Sequence, residues 1–277
     1  MWKRRLYKFS LWFFGIITGL FLLISLLLWI YKDDICDMAI AEINKNLKAE
    51  VQVSDVELTF WSTFPSLSID FNHVFIQDAI VGSTMRDTLL YSDRIRCKLN
   101  PFDIWNEEYK VKSIEVGSGV LNLKVDSEGK NNYDILKTPS DSNQDDGSFD
   151  LNLEKVSLKN FRFNFVNAAT SQEYRTRIHE MDFEGALSEQ IFTTKATSRL
   201  KIIAAKSGNI SLVNNKPAKL EIGINVNLDS GIIEIPKSTI HIASLPFNFE
   251  GNVNSDGFTF DLTGKEIGIK DAASNFA

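Results

Sequence analysis

Only two cysteines and three histidines occur in the 277 residues, so the chemistry those side chains usually carry is thin here. Cys36 and Cys97 belong to no CxxC or Cys/His cluster, which excludes structural zinc and leaves one disulfide between them as an open option. His73, His179 and His241 stand far apart in sequence, each among strand-like neighbours, and read as surface or sheet residues. No GxSxG, HExxH, P-loop or GxGxxG in a strand–helix setting occurs. Asp141-Ser-Asn143-Gln-Asp145 opens like a calcium loop, but Asp146 stands where glycine is required and Asn152 where a bidentate glutamate belongs. No catalytic residue, metal or cofactor is expected, and the chain reads as a non-enzyme. Basic charge is outnumbered by acidic charge beyond the first eight residues. The formal net charge is −6, with Lys3, Arg4, Arg5 and Lys8 placing +4 on the first eight residues and leaving −10 on the rest. An acidic body is repelled by nucleic acid, which is excluded as a partner.

Phenylalanine is abundant, with 20 copies against 4 methionines, and bulky aromatics suit a pleated, half-buried surface. Residues 9–31 form a run of 23 without a charge, about 34 Å long as a helix and enough to cross a hydrocarbon core of roughly 30 Å. Trp12 and Trp29 sit toward its two ends, where amphipathic rings favour the interface. The basic tail, residues 1–8, predicts a cytoplasmic N-terminus with the bulk of the chain across an inner membrane, in a periplasm. A cleaved signal peptide is the rival, since Ala39-Ile-Ala41 resembles a cleavage site. The apolar run exceeds a signal h-region, and Asp33, Asp34 and Asp37 separate it from the alanines, so an uncleaved single-pass anchor is favoured. Residues 32–48 carry Ile35, Ala39, Ile43 and Leu47 at helical spacing and read as an amphipathic stalk.

After Lys48 the hydrophobic period shortens to two. Val51 and Val53, then Val56, Leu58 and Phe60, then Leu67, Ile69 and Phe71 alternate with other residues, with Pro65 between the last two runs. The same alternation marks Leu121, Leu123 and Val125; Phe161, Phe163 and Phe165; and Ile222, Ile224, Val226 and Leu228. Strict alternation gives each strand one apolar and one polar face, the signature of antiparallel pairing. Turn chemistry at Asp126-Ser-Glu-Gly129, Asn214-Asn-Lys-Pro217, Asp229-Ser-Gly231 and Ser255-Asp-Gly257 predicts a meander of hairpins with little helix, apart from a single turn at Pro101-Phe-Asp-Ile-Trp105. Residues 138–148 are the low-complexity stretch and are expected to form a loop between a β region at 49–137 and a second at 149–277. Two weak internal repeats are visible. Ile114-Glu-Val116 with Leu121-Asn-Leu123-Lys-Val125 resembles Val156-Ser-Leu158 with Phe161-Arg-Phe163-Asn-Phe165, and Phe183-Glu-Gly185 resembles Phe249-Glu-Gly251.

A helix-poor sheet with one apolar face must close as a barrel, pack as a sandwich, or bend into a trough that something else fills. A trough lined by Phe, Leu and Ile can shelter acyl chains. At about 0.8 kcal/mol per buried methylene, a 16-carbon chain contributes on the order of 12 kcal/mol before losses. Candidate lipid-contacting residues are Leu121, Leu123, Val125, Phe161, Phe163, Phe165, Ile222, Ile224 and Val226.

A set of ordered motifs adds to this reading. After the anchor and stalk come Val51-Gln-Val-Ser-Asp-Val56, Phe64-Pro-Ser-Leu-Ser-Ile69, Asp93-Arg-Ile95, Leu99-Asn-Pro-Phe102, Val111-Lys-Ser-Ile114, Gly119-Val-Leu-Asn-Leu123 and Asp126-Ser-Glu-Gly129-Lys-Asn-Asn-Tyr-Asp134, with Leu245-Pro-Phe247 later. Over residues 1–137 this order resembles the N-terminal region of the AsmA family of Gram-negative envelope proteins. The resemblance implies a chorein-like start to an elongated, curved, groove-like β-sheet, truncated here because family members are longer. It also implies bridge-like carriage of phospholipid toward an outer membrane, with membrane lipids and other envelope proteins as partners. The alternative is a structural factor for outer-membrane protein assembly that acts by protein contacts, pairing strand edges with a client.

Overall fold

The structure is a computed structural model that describes residues 51–60, 62–78, 88–100, 110–135, 153–187, 190–243, 245–254 and 257–264, with the single residues 18, 19, 26, 30, 44, 47 and 49. The chain divides into two compact units, Met1–Ala41 and Glu42–Ala277. In the first, Thr18, Gly19, Leu26 and Ile30 have helical backbone, and Leu26 and Ile30 are exposed. The rest of the basic tail and of the expected anchor lies outside the described residues, as do most of the stalk, the turn at residues 101–105 and the loop at 138–148. Among the described residues no helix is long and apolar enough to cross a membrane.

The second unit is mainly β and builds one 13-stranded, mostly antiparallel sheet. Its strands are β1 (Val51–Gln52), β2 (Asp55–Thr59), β3 (Leu67–Gln77), β4 (Thr88–Leu99), β5 (Val111–Val116), β6 (Gly119–Val125), β7 (Lys155–Asn167), β8 (Gln172–Gly185), β9 (Ile191–Ser207), β10 (Ile210–Asn227), β11 (Ile232–Ile242), β12 (Leu245–Asn254) and β13 (Gly257–Gly264). The path runs β1-β3-β4-β5-β7 and then in sequence order to β13, with β2 beside β3, and β6 between β4 and β7. The regions before and after residues 138–148 are therefore parts of one sheet.

Two departures from the expected meander have clear causes. First, β5 and β6 both pair antiparallel with β4 and parallel with β7, so they are one line of strand broken at Gly117 and Ser118. A parallel neighbour needs a crossover of a dozen or more residues, and residues 126–154 supply it. The first weak repeat lies within this pair: Ile114 aligns with Val156, Val116 with Leu158 and Leu121 with Phe163. Second, Asn214-Asn-Lys-Pro217 is not a turn but an irregular stretch inside the 18-residue β10. Asn215 takes a φ of 55°, a left-handed conformation asparagine tolerates, and the strand continues beside β9. Pro217 precedes the first described β10 pairing with β11, at Ala218, which suits a residue without an N–H. The true β9–β10 turn lies at Gly208, φ 57°.

A line of phase slips crosses five strand positions. Apolar or face-sharing residues step by three instead of two at Phe71–Val74, Ser92–Ile95, Val116–Gly119, Leu158–Phe161 and Ile178–Met181. His73 and Asn160, each at φ 52°, sit inside two of these steps. The slip ends between β8 and β9, where Ile178 and Met181 face Leu200 and Ser198. Leu200 and Ser198 are two apart in a regular strand and share a face, so every residue registered with them shares it too. The bulges thus keep one apolar face continuous across the sheet.

Candidate functional site

That face is the candidate site. Register carries it from Val56 and Leu58 through Phe71 and Ile69, Ile95 and Cys97, Val116 and Ile114, Leu158 and Val156, and Met181 and Phe183 to β9. It continues through Ala196 and Ile222 to Ile233, Val253 and Phe258. Ala196, Val213, Ala218, Ile222, Ile240 and Ile242 form its buried cluster in β9–β11, with Phe183, Leu200, Phe247 and Phe249 packed against them. At about 1.5–3 kcal/mol per fully buried large side chain, this face is the main source of sheet stability there.

All nine candidate residues lie on this face, in two groups. Leu121 and Leu123 sit beside Phe163 and Phe165, and Val125 beside Asn167. Through β8 this group is level with Thr176 and Tyr174, and so with Ile202 and Ala205 of β9. Ile222, Ile224 and Val226 are level with Ala196, Thr194 and Phe192, toward the other end of β9. The groups therefore mark opposite ends of one apolar surface. Phe161 and Phe165 are only 2% and 3% exposed and Ile222 is buried, whereas the other six are half-buried and present surface. Phe165 stacks on Tyr174 at 6.0 Å, and burial pushes the Tyr174 phenol above its ordinary pKa, so it stays neutral.

Between the groups lie Ile178, Met181, Phe183, Ala196, Leu200 and Ile202, none of them candidates from sequence. The β8 slip disguised the alternation, and β9 places Thr194 and Ser198 on the apolar face. Their hydroxyls donate to the Glu184 and Glu180 carbonyls at 3.0 Å, so neither asks a ligand for a hydrogen bond. The repeated Phe-Glu-Gly was a usable signal, since Phe183 and Phe249 both join the face. At Gly251 an added Cβ would meet the Phe260 ring at 2.4 Å, so glycine lets that ring lie flat beside Phe249, 5.5 Å away. Phe260 and Leu262 leave the face exposed on β13.

Cys97 lies on the same face between Ile69 and Ile114 and is a free thiol; Cys36 is outside the described residues. Burial first, and the charge of Asp70 second, push the Cys97 thiol up to about 12. It is inert near neutral pH.

The opposite face is polar. In β3–β7 the chain itself covers part of it. Lys124 Nζ donates to Asp78, and Asn132 Nδ2 donates to Asp78 Oδ1 at 3.0 Å and to the Asn122 carbonyl at 2.9 Å. Asn132 lies in the first stretch of the crossover, so the crossover starts on the polar side. Arg96 forms a bidentate pair with Asp70 at 2.7 and 2.6 Å. In β8–β12 the polar face carries exposed charges, and two open depressions lie on the polar side of the sheet. One of about 680 Å³ holds Glu180 and Arg199, which are ion-paired, with Glu221 and His241. The other, of about 410 Å³, holds Tyr91, Asp93, Asn160, Arg162 and Arg177. His73, His179 and His241 are all exposed. Among the described residues, no three His, Cys, Asp or Glu side chains gather to hold a metal ion.

Fold and site together define a one-sheet β protein whose single apolar face no other described element covers. Comparison with protein-family models, curated proteins and solved structures finds no match for this chain.

Proposed function

We propose that the apolar face is the lining of a trough that holds phospholipid acyl chains, in a protein tethered to an inner membrane by residues 9–31 with its sheet in the periplasm. The protein would serve phospholipid transport or outer-membrane maintenance and perform no catalysis, as its resemblance to the AsmA family implies. The observation that carries this reading is the unbroken apolar register from β2 to β13 in a single sheet. Eleven strands abreast at about 4.8 Å give roughly 48 Å of such surface, longer than one acyl chain.

Curvature follows from exposure. On a flat single layer, a phenylalanine keeps its upper surface open to water. Phe161 and Phe165 are nearly sealed with no second layer among the described residues, which supports a sheet bent toward this face. The buried trio would form the floor, and Leu121, Leu123, Val125, Phe163, Ile224 and Val226 the surface that meets lipid.

Photo-crosslinking of the full chain in membranes tests the assignment. A photoreactive residue at Phe163 or Ile224 captures phospholipid, while one at the exposed Lys219 or Glu234 on the other face does not. Equal capture on both faces, or none on either, removes the trough. Native mass spectrometry separates the assembly-factor alternative: bound phospholipid favours the trough, and a bound polypeptide without lipid favours assembly.

A further inference from the structure

On the polar face Arg162 of β7 is registered directly opposite Arg177 of β8, and Arg177 is opposite Lys201 of β9. Three basic side chains therefore stand in one row across three neighbouring strands. Like charges directly opposite on a sheet repel, and several other basic residues of this face offset that cost by pairing. Arg199 is held by Glu180, Lys195 by Glu221, Lys155 by Glu184, and Lys206 and Arg175 by Glu173. Arg162, Arg177 and Lys201 make no ion pair or hydrogen bond among the described residues, and both arginines are exposed.

The two arginines line the depression of about 410 Å³, at the line of phase slips. Its one carboxylate, Asp93, is engaged by neighbours of its own: Tyr91 Oη donates to Asp93 Oδ1 at 3.0 Å and lies 3.1 Å from His73 Nδ1. That hydrogen bond, ahead of burial and the Asp93 charge, holds the Tyr91 phenol above its ordinary pKa, so Tyr91 remains a neutral donor to Asp93. The guanidinium groups make no ion pair with it, in a body that is acidic overall. Planar forks side by side match the oxygens of a tetrahedral anion, the arrangement in which arginine outperforms lysine.

We propose that Arg162, Arg177 and Lys201 form a binding site for a phosphate group, set on the face opposite the trough. The phosphate is either a free monoester-type anion or the diester of a lipid headgroup presented to this face from outside. The site does not depend on the trough, because a headgroup whose tails lie on the apolar side cannot reach through the sheet.

Thermal unfolding of the full chain in non-ionic detergent tests it, with inorganic phosphate, glycerophosphoglycerol or sodium chloride added at equal ionic strength. Chloride controls for screening, which alone would relieve the repulsion. Phosphate or glycerophosphoglycerol raises the midpoint by about 2–4 °C beyond chloride, saturating with concentration. A larger response to the diester assigns the source to a lipid headgroup, and a larger response to inorganic phosphate to a soluble ligand. R162Q/R177Q abolishes the response, K201Q weakens it, and R199Q, one row away and ion-paired, retains it. Without ligand, R177Q is at least as stable as the native chain, because a repulsion has been removed. Equal midpoints in chloride and in both phosphates, or a response that survives R162Q/R177Q, overturns the site. Should the double variant not fold, R177Q and K201Q carry the test separately. Neither probe has an acyl chain, so the result is independent of whether the trough binds lipid.

Discussion

Strands β8–β13 lie side by side in sequence order, and their polar face carries exposed ion pairs such as Lys195–Glu221 and Arg199–Glu180. In strands β3–β7 part of the same kind of face is sealed: Ser68, Asp70, Asp78, Asn122 and Lys124 are buried on it, and the crossover after β6 begins there with Asn132. Both regions alternate apolar and polar residues, and both share one apolar face. The difference shows that alternation decides which side is oily, while the connections decide which side is covered. Among the described residues the chain covers part of the polar side of its first half and places no second layer on the apolar side.

The comparison breaks most sharply at Asp78. Asp78→Ala leaves Lys124 buried without its carboxylate and costs about 3–5 kcal/mol in denaturant unfolding. Hydrogen exchange then shows β6 and β7 losing protection while β10–β12 retain theirs. Equal loss in both would mean that the two regions unfold as one unit and that the contrast has no energetic content.

Glycines give a smaller and signed effect. A Cβ at Gly119 would lie 2.1 Å from the Tyr91 carbonyl oxygen and 2.7 Å from the Phe161 ring. Gly119→Ala therefore costs about 1–3 kcal/mol. At Gly223 the nearest atom is Pro236 Cγ at 3.9 Å, so Gly223→Ala is neutral or gains up to about 1 kcal/mol. Chemical denaturation of both variants checks the pair, and a matching loss at Gly223 would contradict the openness of the later strands.

Cys97 tests the burial of the shared face in the first region. With its thiol pushed up to about 12, it resists iodoacetamide at neutral pH until the protein unfolds. The folded state holds this proton more tightly than the unfolded state, whose thiol ionises near the ordinary value of 9.0. The associated stability is complete below about 9 and is lost as pH rises toward 12. Rapid alkylation of the native chain would show the face open at Ile69 and Ile114.

The smallest effect belongs to the exposed pair Lys195–Glu221. Glu221 raises the lysine pKa and Lys195 lowers that of the carboxylate, but both groups are exposed to solvent. Lys195→Ala leaves the unfolding midpoint unmoved, in contrast to Asp78→Ala.

Much of this fold was legible beforehand. Alternation at Leu121–Leu123–Val125, Phe161–Phe163–Phe165 and Ile222–Ile224–Val226 placed all nine residues on what proves to be one face. The three-residue steps were also in the sequence, as at Leu158–Phe161 and Ile178–Met181, but such a step looks like a break in a strand until the neighbouring strands show the same slip. Asn214-Asn-Lys-Pro217 misled for a related reason: residues that favour turns also favour bulges, and only a partner strand running past them tells the two apart. Asn132 stood only within the Asp126–Asp134 motif and carried no structural signal of its own, because an asparagine after a Gly turn becomes a structural pin only when Asp78 and Asn122 are brought beneath it.

By itself the sequence determined that this chain makes strands, that each strand has one oily side, and that its body is acidic and poor in cysteine and histidine. These are properties of short stretches, set by side-chain size, branching and charge. The tertiary structure alone decided that β6 lies parallel to β7, that five slips align into one line, and that three basic residues stand abreast. Those outcomes depend on which backbone N–H meets which carbonyl across distant parts of the chain, and a period of two specifies a side without specifying a neighbour.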